Sequence, residues 1–190
     1  FPHEIINLGP QILEHPRHGL VAFGNWFGEV NLYGPLRNQL VAITSRDGDE
    51  TWNVEEYDTG FPQYEPSVML YKNEFLLVAR EQTGVRNHRQ ITWNPGKKPV
   101  VTETTLECPK WVDTVDFSLN PVTGRFEVVR SERYRMQVWL WSMDPLDWKT
   151  GNWRRECPLL IRGGVHPKGW RRLPSRRSGD RSETWRAAHF

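Results

Sequence analysis

The stretch Ser45-Arg46-Asp47-Gly48-Asp49-Glu50-Thr51-Trp52 decides how this chain is read. A Ser hydroxyl and an Asp carboxylate two residues apart can hydrogen-bond the amides of a tight turn. The fifth position, Asp49, needs a left-handed backbone, for which Gly is best and Asp is tolerable. The closing Trp carries a large ring that packs between strands. The stretch therefore predicts a connection between two β-strands. Ser178-Gly179-Asp180-Arg181-Ser182-Glu183-Thr184-Trp185 repeats it with Ser in the fifth place, and Ser142-Met143-Asp144-Pro145-Leu146-Asp147-Trp148 repeats it one residue short. Thr92-Trp93-Asn94-Pro95-Gly96 is a degenerate remnant.

Around these turns the chain is built of short β-rich runs, and helical periodicity is scarce. Strands are expected over 19–24, 39–44, 67–71, 74–79, 100–105, 114–119, 126–130 and 137–141, with Gly, Asn and Pro between them. Spacings near ten residues argue for an all-β sandwich, barrel or propeller. A longer repeat separates these. Glu107-Cys108-Pro109 returns 49 residues later as Glu156-Cys157-Pro158, and Trp52 and Trp148 each stand ten residues before a Pro, Pro62 and Pro158. A period near 48 with four strands inside it matches a propeller blade. The expectation is one domain over 1–190, with units near 19–65, 66–112 and 113–161 and a partial one over 162–190. The tail is expected to fold incompletely or to pair irregularly.

Composition narrows the function classes. Hydrophobic residues make up 37%, enough for a core, and ten of the 190 residues are Trp. No apolar run approaches the roughly 18 residues of a membrane span. The formal net charge is only +2, so the late arginines from Arg171 to Arg186 read as a solvated run, and no nucleic-acid partner is expected. Two cysteines, Cys108 and Cys157, make no disulfide framework and no zinc site; their matching repeat positions predict two small buried residues. Six scattered histidines support neither a metal site nor a Ser-His-Asp arrangement, and no cofactor is expected. The chain opens on Phe1 rather than Met, which carries the expectation of an N-terminus beyond it and a secreted or periplasmic protein.

The turn motif S-x-D-x-G-x-T-W resembles the Asp-box of the sialidase (neuraminidase) superfamily. The resemblance continues through Tyr64-Glu65-Pro66-Ser67, the hairpin at Lys72-Asn73, and Leu76-Leu77-Val78-Ala79-Arg80, and covers roughly residues 19 to 160. It implies a six-bladed β-propeller, of which this chain holds about four blades' worth. It also implies a glycosidase acting on terminal acidic sugars of glycans, with a Tyr nucleophile rather than two carboxylates. Its other parts are a Glu that draws the Tyr proton, an Asp acid/base, and three arginines on the sugar carboxylate. On this sequence Glu65 takes the place of the catalytic Glu, and Arg80, Arg86, Arg133 and Arg135 are candidates for the carboxylate grip, with Arg89 beside them. The chemistry suits the residues, because a guanidinium is a planar fork for bidentate carboxylate binding. No R-x-P near the start supplies a first arginine, no acid/base Asp is placed, and Tyr134 is the nucleophile only by elimination.

Two rivals use the same fold class. A five-bladed furanosidase-type glycosidase shares the S-x-D-x-x-x-W pattern at Ser142–Trp148 and would use Asp113 and Asp116. A non-catalytic propeller would hold glycan or protein on aromatic residues at its rim.

Overall fold

The computed structural model describes residues 5–27, 39–81, 87–93, 96–106, 112–132 and 136–161. These residues form antiparallel sheets with almost no helix, an all-β protein as the sequence predicts. The first sheet runs in chain order through β1 (Ile5–His15), β2 (Gly19–Phe27), β3 (Gln39–Ser45) and β4 (Asn53–Asp58). The second follows the same meander through β5 (Gln63–Tyr71), β6 (Glu74–Glu81), β7 (His88–Trp93) and β8 (Val100–Glu103). The third comprises β9 (Val112–Leu119), β10 (Phe126–Glu132), β11 (Gln137–Met143) and β12 (Arg154–Ile161). No helix among the described residues is long and apolar enough to cross a membrane.

The sheets stack face to face and share a seam. The first strands touch in series, β1 against β5 and β5 against β9, so the sheets fan outward from that line. Gly9 permits the approach: a Cβ there would stand 3.0 Å from the carbonyl oxygen of Pro66 in β5. The Lys72-Asn73 hairpin joins β5 to β6 with both φ angles positive, as a type I′ turn requires. In β6 the apolar residues run unbroken because both faces are covered. Phe75, Leu77 and Ala79 join a core with Val21, Phe23 and Leu40 of the first sheet. Leu76 and Val78 join a second core with Phe117, Phe126 and Val128 of the third. Aromatic rings lock both cores: Phe23, Phe75 and Trp93 meet at 5.1–5.3 Å between centroids. Each such pair contributes about 0.5–1.5 kcal/mol beyond its buried area.

Four strands escaped the sequence reading, each for a physical reason. β1 contains Gly9 and Pro10 and changes register between Leu8 and Ile12, which breaks the alternation. It precedes residue 19, where the first unit was expected to begin. β4 is an exposed edge of Asn, Glu and Asp with little to bury. β7 buries polar residues, His88 and Gln90, among its apolar ones. β12 carries Pro158 at a register irregularity on the edge of its sheet, where a missing N–H is tolerated. The expected tail unit over 162–190 lies outside the described residues.

The turn between β3 and β4 is closed from within. Ser45 Oγ donates to Asp47 Oδ1 at 2.8 Å and accepts the Asp49 N–H at 2.9 Å, while Thr51 N–H reaches Asp47 Oδ1 at 3.0 Å. Asp49 has φ +86°, the left-handed backbone the fifth position demands. The shorter copy is built differently. Asp144 caps a 3-10 helix, Pro145–Thr150, by accepting the Leu146 N–H, and Ser142 bonds to Arg125 and Glu156 instead of the turn. Gly151 ends the helix at φ +68°, so close to the second sheet that a Cβ would meet the Glu103 carbonyl oxygen at 1.9 Å.

The two motif tryptophans differ. Trp148 is 7% exposed, stacked on Phe117, and its indole N–H donates to Thr92 Oγ1 of the second sheet at 2.8 Å. Trp52 was expected to pack in the same way, yet it is 39% exposed. Trp148 is buried because its turn leans over the preceding sheet. Among the described residues no sheet stands in that place for Trp52. Cys157 is half-buried on β12 rather than in a core, and Cys108 lies outside the described residues.

Candidate functional site

Burying a charge is costly unless it is paired and hydrogen-bonded, so the positions of buried charges point to a site. Every buried Arg and Glu among the described residues, namely Arg80, Glu81, Arg130 and Glu132, lies at the C-terminal end of a second strand, β6 or β10. Both ends lie on the same side of the fan, where β5 and β9 begin. The connections β2–β3, β6–β7 and β10–β11 leave from there, which makes this end the candidate site.

Glu65 and Arg80 meet in the middle of it. Between Tyr64 and Ser67 the β5–β6 register slips, and within this bulge Glu65 takes φ +47°. Glu65 Oε2 stands 3.2 Å from Arg80 Nη2, and the Arg80 guanidinium lies 4.9 Å from the centre of the Tyr64 ring. The Glu65 N–H donates across to Asn25 Oδ1 of the first sheet at 3.4 Å. Burial, then the Glu65 carboxylate, push the Tyr64 phenol above its ordinary range, with Arg80 opposing them. The Tyr64 ring lies against the Arg80 guanidinium, and the shift favours its protonated phenol.

A second group sits further out on the same end. Arg89, which falls in none of the strands expected from the sequence, is a residue of β7. Its Nε and Nη2 both stand 3.2 Å from Glu81 Oε2, and its Nη1 bonds Glu103 of β8. Tied to two carboxylates across three strands, Arg89 serves to hold the sheet end together. Arg86, Arg133 and Arg135 lie outside the described residues, as does Tyr134. Of the rival pair, Asp116 is exposed on β9 opposite Val129, and the Asp113 side chain lies outside the described residues.

The third group was missed by sequence reasoning. Glu132 Oε1 stands 3.3 Å from Arg130 Nη2 and 3.1 Å from Arg155 Nη2. The Arg155 guanidinium stacks 3.5 Å from the Trp139 ring centre, and that of Arg130 lies 4.9 Å from Trp141. A signal was present. In Phe126-Glu127-Val128-Val129-Arg130-Ser131-Glu132 the alternation that buries Phe126 and Val128 sends Arg130 and Glu132 to the same face. Charged residues on the apolar phase of a strand mark either a paired cluster or a site.

No protein-family model and no curated protein matches the chain.

Proposed function

We propose that the three sheets are blades of a sialidase-type β-propeller, part of a six-bladed ring, and that the chain belongs to a sialidase-like glycoside hydrolase acting on terminal acidic sugars of glycans. The meander sheets fanning from a seam of first strands support the propeller, as does the hydrogen-bonded turn at Ser45–Trp52. The single observation that carries the function is the Glu65–Arg80 pair. It sets a guanidinium fork, backed by an aromatic ring, on the first and second strands at the charged end.

In this reading Arg80 receives the sugar carboxylate. Its planar donors match a carboxylate in a bidentate bond, and its partner Glu65 is displaced from the fork as the ligand enters. Glu65, relieved of Arg80, becomes the base for a proton of the reacting group. Tyr64 holds the guanidinium by a cation–π contact while the carboxylate sheds its water. The test is an NMR titration of the chain with N-acetylneuraminic acid and with galactose at matched ionic strength. Saturable shifts at Arg80 and Glu65 with the acidic sugar alone, lost in Arg80→Ala, are the expected result. Equal responses to the two sugars, or none, refute the proposal.

A further inference from the structure

The backbone at Glu65 sits in a conformation that a β-branch-free but bulky L-residue adopts only when its surroundings hold it there. Three features gather at this point. Glu65 is left-handed inside a bulge. Its N–H donates to a side chain of another sheet, Asn25. Asn25 is fully buried, and its amide nitrogen Nδ2 finds no acceptor among the described residues; two residues before Glu65, the amide of fully buried Gln63 likewise finds no partner among them at either atom. Native cores rarely retain such groups. Alternation along β2 puts Asn25 on the same face as the core residues Val21 and Phe23.

We propose that Asn25 is a positioning residue, whose Oδ1 latches the left-handed Glu65 backbone and so aims the Glu65 carboxylate at Arg80. The inference rests on the reading of Glu65 and Arg80 as the site for an acidic sugar. A local conflict between fold and residue type is the mark of a position kept for a task other than stability. The buried amide is retained for one acceptor atom, at the expense of a donor that finds no acceptor among the described residues. Without the latch Glu65 relaxes toward an ordinary extended backbone, the bulge redistributes, and the carboxylate leaves the guanidinium.

The experiment compares wild type, Asn25→Leu and Asn25→Asp by amide hydrogen exchange, thermal unfolding and the sugar titration. In Asn25→Leu the Glu65 amide should exchange at least tenfold faster while Val68 and Leu77 keep their protection, and the unfolding midpoint should hold or rise. Affinity for N-acetylneuraminic acid should not fall, because the ligand no longer has to displace Glu65 from the Arg80 fork. Asn25→Asp keeps the acceptor, so Glu65 protection should stay within about twofold of wild type. Unchanged Glu65 exchange in Asn25→Leu overturns the latch. So does faster exchange along all of β5 with a lower midpoint, because that is the pattern of a purely structural residue. Lost protection in Asn25→Asp overturns it too, and decides the matter should Asn25→Leu not fold. A wild-type chain that ignores the sugar sinks the functional reading, and the exchange data then judge the latch by themselves.

Discussion

Trp148→Ala tests how the sheets are held together. The ring is almost wholly buried, stacked on Phe117 at 5.4 Å and set edge-on to Phe126 at 5.6 Å and to Trp153 at 6.5 Å. Its N–H is bonded to Thr92. Truncating a packed aromatic to Ala costs about 3–5 kcal/mol. The three ring pairs and the hydrogen bond, worth about 1 kcal/mol net, place this site toward the upper end. Trp52→Ala supplies the internal control. It removes the same side chain from the corresponding turn of the first sheet, where more than a third of the surface is already in water, and should cost about 1 kcal/mol. Urea unfolding followed by far-UV circular dichroism, with equal slopes required for comparison, gives both values. A Trp148→Ala loss below about 1.5 kcal/mol, or a Trp52→Ala loss equal to it, would refute the account of one tryptophan clamped between sheets and the other left outside.

Two further outcomes follow from the charges. Hydrogen bonds from the Thr51 side chain first, then from the Thr51 amide and Ser45, pull Asp47 down from 3.8 to about 2. Its folded-state value lies below the unfolded one, so the turn adds stability that is present above about pH 4 and is lost as the pH falls toward 2. Asp47→Ala should therefore flatten the acid limb of a stability–pH curve and leave the neutral region lower by a constant amount; an unaltered acid limb would contradict this. Glu132→Ala removes the carboxylate shared by Arg130 and Arg155, and should cost about 3–5 kcal/mol because a buried guanidinium then loses its counter-charge. Arg155→Ala should cost much less, since that side chain is 35% exposed. Thermal or urea unfolding that ranks the two the other way would show that Glu132 is not the keystone of the cluster.

Two of the five candidate residues, Glu65 and Arg80, fall within the described residues and lie together, while Arg86, Arg133 and Arg135 lie outside them. Glu65 and Arg80 stood out through the resemblance carried by Tyr64-Glu65-Pro66-Ser67 and Arg80, and what sets them side by side is the bulge that pairs Arg80 with Tyr64. Asn25 could not be found in this way, because it is forty residues from Glu65 and reaches it only where the first sheet packs on the second. Arg155 meets Glu132 across two strands of the third sheet, a contact set by the register of a bulged edge. Arg89 was misplaced because His88-Arg89-Gln90 lacks the apolar alternation of a half-buried strand.

By itself the sequence determined the all-β class, a hairpin at Lys72-Asn73 and the left-handed turn at Asp49. Each of these depends on interactions within a few residues, which composition and spacing encode directly. Tertiary structure alone decided which tryptophan is buried, which glutamate is strained and which arginines are neutralised. Those outcomes depend on what the next sheet presents. Trp148 finds Thr92 and Phe117 under it, whereas Trp52, in the same kind of turn, meets no such surface among the described residues. A local pattern sets what a side chain can do, and the desolvation supplied by a distant strand determines what it does.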